Sequence, residues 1–210
     1  MAGIIDFFKD GGWWMLPIAA VSVFVLGIAV ERIIFLFFRF NINGSQFMAQ
    51  IQKLVMAGNI DRAVKLCNAA PNAALPRVIK SGLQRANKGE VEIQNAVEEA
   101  SLEVVPLLQR RTNLLAGLAS LATLLGLLGT VMGLIKAFEV VGSAPADQRT
   151  ALLANAISTA MNTTAFGLIV AIPALACHMF LSGMTKKLID EIDMYSVKLE
   201  NLLINRKKSD

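Results

Sequence analysis

Residues 112–135 read TNLLAGLASLATLLGLLGTVMGLI, a stretch without one charged side chain. A helix needs roughly 20 apolar residues to cross the hydrocarbon core of a bilayer, so this stretch is long enough to span one. Two more gaps in the charge pattern match it. Residues 11–30 carry no charge, and beyond Glu31 and Arg32 residues 33–38 are again apolar. Residues 150–185 carry none either, with Cys177 and His178 as the only titratable side chains. These gaps explain why the chain is 55% hydrophobic and only 17% charged, where soluble domains carry about 25% charged residues. Such a composition excludes a disordered chain and predicts an all-α membrane protein with three transmembrane helices.

The first gap differs from a secretion signal, which has a basic start and a short apolar stretch. Here Asp6, Lys9 and Asp10 precede a longer one, and Trp13 and Trp14 stand where indoles favour the membrane–water boundary. It reads as a retained span. Orientation follows from the basic residues, which stay on the cytoplasmic side. Lys9 is alone before span one, whereas Arg39, Lys53, Arg62, Lys65, Arg77, Lys80, Arg85, Lys88, Arg110 and Arg111 lie between spans one and two. Lys136 and Arg149 flank the next loop, and Lys186, Lys187, Lys198, Arg206, Lys207 and Lys208 crowd the tail. The expected plan is a periplasmic N-terminus (1–12), span one (13–38), a cytoplasmic helical region (39–111), span two (112–138), a periplasmic loop (139–150), span three (151–185) and a cytoplasmic tail (186–210). The net charge of +4 then belongs to basic flanks beside an anionic leaflet rather than to nucleic-acid binding.

Outside the spans the period is helical. Phe47, Ile51, Leu54 and Val55 recur until Gly58-Asn59, Ala63, Val64, Leu66 and Cys67 until Pro71-Asn72, and residues 75–83 form a third segment ending near Asn87-Lys88-Gly89. A fourth begins at Glu90, with acids in its first turns and Arg110-Arg111 at its end, matching the helix dipole. It is expected to run into span two without a loop, with Pro106 as a kink. In the tail, Leu188, Ile189, Ile192, Tyr195, Leu199, Leu202 and Leu203 continue span three as an amphipathic helix. Spans two and three thus extend into a cytoplasmic helical bundle.

In span two small residues recur every three or four places: Ala116, Ser120, Thr123, Gly126, Gly129 or Thr130, and Gly133. Lipid offers no hydrophobic drive for helices to associate, so close approach through small residues supplies it. Thr123 and Thr130 share a face. In span three Asn155, Ser158, Thr159, Asn162 and Thr163 form one polar stripe with Thr164 roughly opposite. Such a stripe marks either an ion path or interhelical glue. Pro173 removes a backbone donor and predicts a bend. No Asp or Glu lies inside spans two or three, and hydroxyls and amides do not titrate near neutrality, so a proton path here needs a carboxylate from a partner.

Two cysteines, one cytoplasmic and one in a span, make no disulfide framework. A lone His178 makes no metal site, and it reads as a packed or interface residue. Gly126, Gly129 and Gly133 lie in an apolar helix with no Gly-Lys-Ser/Thr, so no phosphate loop is present. No catalytic residues, metal or cofactor are expected, and the chain is not read as an enzyme. A solute transporter is disfavoured because no internal repeat of spans is visible.

The motifs Gly126-Leu-Leu-Gly-Thr-Val-Met-Gly-Leu-Ile135 and Asn162-Thr-Thr-Ala-Phe-Gly-Leu-Ile-Val-Ala-Ile-Pro-Ala174, with Glu31-Arg32 near the end of span one, resemble the MotA/TolQ/ExbB proton-channel family on its ExbB/TolQ side. The resemblance implies a homopentamer in the inner membrane of a Gram-negative bacterium. It surrounds two copies of an ExbD/TolR-like single-span protein that carries a membrane Asp, with a TonB/TolA-like or other envelope effector beyond. It further implies that Thr130 and Thr164 line the proton path and that Pro173 is the family's span-three proline. Thr159 stands where the family pattern usually has glutamate, five residues before the second threonine. That strengthens dependence on the partner's acid and leaves Na+ open as coupling ion, ranked below H+. The reading from a different class is a non-conducting membrane scaffold.

Overall fold

A computed structural model describes residues 12–36 and 43–209, with side chains as far as Arg206. The expected N-terminal segment up to residue 11, the end of span one and the charges of Lys207 and Lys208 lie outside what is described. Every regular element among the described residues is helical. The helices are α1 (Met15–Ile34), α2 (Gly44–Met56), α3 (Ile60–Asn68), α4 (Ala74–Gln84), α5 (Glu90–Gln109), α6 (Thr112–Ser143) and α7 (Arg149–Ser209). Three helical stretches, Met15–Ile34, Glu90–Ser143 and Arg149–Arg206, are long and apolar enough to cross a membrane.

The expected continuous run from the fourth segment into span two is interrupted. Arg110 turns extended (φ −50°, ψ 143°) and Arg111 adopts a left-handed φ of 64°, so α5 ends and α6 starts afresh at Thr112. Charge and hydropathy patterns carry no sign of this break, since neither residue is a glycine or proline. Pro106 lies inside α5 without ending it, and its carbonyl accepts from the Arg110 amide at 2.8 Å. Pro173 likewise lies within the uninterrupted α7.

The chain divides into two compact units. One comprises the residues up to Glu31 and Arg111–Phe180, hence most of α1, all of α6 and the first half of α7. It is described below with its threonines.

The other unit comprises Arg32–Arg110 and Leu181–Asp210. Its helices start and stop where the local chemistry dictates. Asn43 caps α2 by accepting from the Gln46 amide, and Gly58 supplies the positive φ of 79° that reverses the chain before α3. The amphipathic faces close on one core: Ile51 and Val55 of α2, Cys67 of α3, Ile79 and Leu83 of α4, Ile93 and Val97 of α5, and Ile192, Leu199 and Leu203 of α7 are buried. Gly82 sets the spacing, because a Cβ there would sit 2.7 Å from Val97 Cγ2 and 2.9 Å from Leu199 Cδ2. Each fully buried leucine contributes about 1.5–3 kcal/mol.

Arg32 belongs to this unit and is only 3% exposed. Its guanidinium donates to the carbonyls of Arg110 at 2.6 Å and of Leu107 and Leu108 at 3.5 Å, and it lies 5.2 Å from the centre of the Phe35 ring. The last carbonyls of a helix have no intrahelical donor. Arg32 supplies one in planar, forked form at the point where α5 stops.

Candidate functional site

Helices α6 and α7 run antiparallel along a seam of small residues. A Cβ on Gly133 would meet Ala160 at 3.1 Å, one on Gly129 would meet Thr163 Oγ1 at 2.8 Å, and one on Gly126 would meet the Thr163 carbonyl and Thr164 Cα at 3.2 Å. At Gly167 an added Cβ would lie 2.7 Å from the Ala122 carbonyl. Backbones in such contact leave no room for a methyl group, and that is the close approach that membrane helices use in place of hydrophobic drive. Trp14, just before α1, closes the other side of Gly129, its Cβ 3.3 Å from where an added Cβ would stand.

Within the chain the seam takes the glycine end of the small-residue repeat expected for span two. The buried positions of α6 are Thr112, Leu115, Ala119, Ala122, Gly126, Gly129 and Ala137. Ser120 and Thr123 are exposed, and Ala116 is half-buried. Ser120 and Thr123 each donate to the carbonyl one turn back, Ala116 and Ala119 respectively, at 3.1 Å. A hydroxyl satisfied by its own helix has no need of a neighbour. The matching repeat on α7, Ala160, Thr163, Gly167, Ala171 and Ala174, is buried. Its spacing was readable in the sequence but was masked by the polar residues between.

The polar stripe of α7 is divided. Asn155 and Ser158 are exposed, Thr159 and Asn162 half-buried, and Thr163 fully buried against Gly129 with its hydroxyl donating to the Ala160 carbonyl at 2.6 Å. Thr159 lies beside Gly12. Thr164, on another side of the helix from the stripe, donates across the seam to the Gly126 carbonyl at 3.0 Å. Thr130 donates to its own Leu127 carbonyl at 2.6 Å. Gly126 is also the i−4 position for the Thr130 amide, so α-helical geometry brings its carbonyl into the hydrogen bonding of both threonines. Each hydroxyl has spent its single proton on a carbonyl and has only lone pairs left to offer.

Farther along the seam the His178 imidazole bonds the Thr112 carbonyl at 2.9 Å through Nδ1. A carbonyl only accepts, so the proton sits on Nδ1. Glu31 is engaged by Arg111 in an ion pair. Among the described residues no group of acids, histidines and cysteines could hold a metal ion.

Three apolar helical stretches, a glycine seam with backbones in contact and a pair of proton-spent threonines define a multi-pass membrane protein. The model of the MotA/TolQ/ExbB proton channel family matches residues 70–194, more than half the chain, and the chain belongs to that family. It is 28% identical over 94% of its length to a putative biopolymer transport protein ExbB-like 1 of Synechocystis sp., covering 78% of that protein. A putative biopolymer transport protein ExbB homolog of Methanothermobacter thermautotrophicus is 24% identical over 91% of this chain and 67% of its own. The biopolymer transport protein ExbB of Neisseria gonorrhoeae is 37% identical over 45% of this chain and 43% of its own.

Proposed function

We propose that this chain is the proton-conducting subunit of an inner-membrane energy-transducing motor that powers biopolymer transport at the cell envelope. The observation that carries the reading is the pair Thr130–Thr164 around the Gly126 carbonyl, both hydroxyls turned into acceptors, in spans free of carboxylates. A group that docks on such a site must bring its own proton. A neutral carboxylic acid does so, whereas its ionised form offers lone pairs to lone pairs and is costly in the membrane. The carrier is the membrane Asp of an ExbD/TolR-like single-span partner, loaded from the periplasm and discharged to the cytoplasm. Five copies of this chain surround two of the partner, with the N-terminus and the loop 139–150 periplasmic and residues 39–111 and 186–210 in a cytoplasmic bundle. Proton passage turns one component within the other, and a TonB/TolA-like effector conveys the work.

The test is replacement of Thr130 or Thr164 by Ala in cells that depend on the driven process. Both variants are expected to assemble with the partner and to fail in the process, while wild-type rates from both would leave a non-conducting scaffold. Thr159 at the position where the family usually has glutamate favours one second reading, Na+ as the coupling ion, since lone pairs and carbonyls also ligate a cation. Activity that follows the sodium gradient when the proton gradient is collapsed would establish it.

A further inference from the structure

The helical unit formed by Arg32–Arg110 and Leu181–Asp210 contains a cavity of about 300 Å³ among α3, α4 and α5, remote in sequence from the threonines and independent of the function proposed above. Its apolar lining includes Cys67, Pro76 and Val104, and the side chains of Arg77, Lys80 and Gln84 also border it. The lining is more polar than apolar and includes Glu103, so the cavity is a concave polar pit with apolar patches, and its volume is at the lower end for small-molecule sites.

The charge balance within the cavity is uneven. Arg77 is held by Glu103 at 3.8 Å. Lys80, half-buried, makes no ion pair with any described residue. Cys67 does not neutralise it, because burial pushes that thiol up to about 11 against the opposing pull of Lys80, and it stays protonated. With Glu103 engaged by Arg77, the half-buried ammonium of Lys80 is left as an uncompensated positive charge in the cavity, and what it lacks is an anion.

We propose that this cavity is a binding site for a small molecule with an oxyanion head, a carboxylate or a phosphate, seated on Lys80 and Arg77 with its apolar part against Pro76 and Val104. The test is calorimetric titration of the full-length protein in phosphatidylcholine nanodiscs at constant ionic strength, with succinate, inorganic phosphate and dihexanoyl phosphatidylglycerol as probes. At least one is expected to saturate one site per chain. Lys80→Gln and Arg77→Gln should each weaken it about tenfold or more, while Lys80→Arg retains binding and Lys88→Gln, outside the cavity, leaves it unchanged. Binding of phosphate or succinate assigns a soluble ligand, and binding of the phosphatidylglycerol alone assigns a lipid headgroup. The proposal is overturned if no probe saturates below about 10 mM, or if Lys80→Gln binds like wild type while its thermal midpoint is unchanged.

Discussion

The Thr164 hydroxyl donates to the Gly126 main-chain carbonyl across 3.0 Å, tying α7 to α6 at the point where neither helix has a side chain to spare. One such interhelical bond is worth only about 1 kcal/mol in a membrane. Thr164→Val, which keeps the shape and removes the hydroxyl, should therefore lower the thermal midpoint by only about 2–4 °C while abolishing the driven process. Thr164→Ser should keep both. Thermal unfolding in detergent and a gradient-driven assay on the same preparations separate the two effects.

Gly167 has no room for a methyl, with the Ala122 carbonyl 2.7 Å from where the Cβ would stand. Gly167→Ala should force the helices apart and cost about 1–3 kcal/mol, the range of overpacking. Gly117→Ala, on the same α6 but with nothing within 4 Å of its added Cβ, should leave the midpoint unchanged or raise it, since alanine is the better helix former. Opposite signs at the two sites, read by thermal unfolding, are the expected result.

Arg32 closes the end of α5 by three carbonyls. Arg32→Met should leave them buried without this donor and cost about 2–4 kcal/mol. Arg32→Lys should recover only part, because an ammonium cannot fork to carbonyls the way a guanidinium does. Hydrogen exchange at residues 107–110 should quicken in both variants, more in Arg32→Met.

Glu200 has its carboxyl pushed above the usual range, by burial first and by Glu98 second. A folded-state value above the unfolded one means that the fold favours the protonated acid. Its stability is whole below the unfolded carboxylate pKa and falls as pH rises through the raised folded value. Glu200→Gln should thus melt higher than wild type at pH 8, and the difference should shrink as the pH is lowered through the carboxylate range.

Cys67, pushed up to about 11 by burial, is mostly thiol well above neutrality, and only the thiolate reacts. In a Cys177→Ala background, native protein at pH 8 should resist a thiol-specific dye that labels the denatured chain at once. Rapid native labelling would show that the core around Cys67 opens.

Three spans and a set of amphipathic helices between and beyond them were legible in the sequence alone, and so were the glycine-threonine motifs of the family. Charge-free stretches long enough for a bilayer have few other uses. Gly58, with its positive φ, and Pro71 follow the ends of α2 and α3, and Gly89 precedes the start of α5, by backbone chemistry that needs no tertiary context. Outside the spans, water also marked the inner face. Tyr195, Leu199 and Leu203 stand out against charged neighbours, and they are the buried side of α7 in that unit.

Inside the spans only the tertiary structure decided which side of each helix faces its neighbour. Lipid tails and packed side chains are equally apolar, so hydropathy does not set the rotation of α6, and within the chain Ala119 and Ala122 face inward while Ser120 and Thr123 are exposed. The break at Arg110–Arg111 was hidden for a related reason. It is held by the guanidinium of Arg32, 78 residues away in the chain from Arg110, and no local pattern records a bond made by so distant a partner.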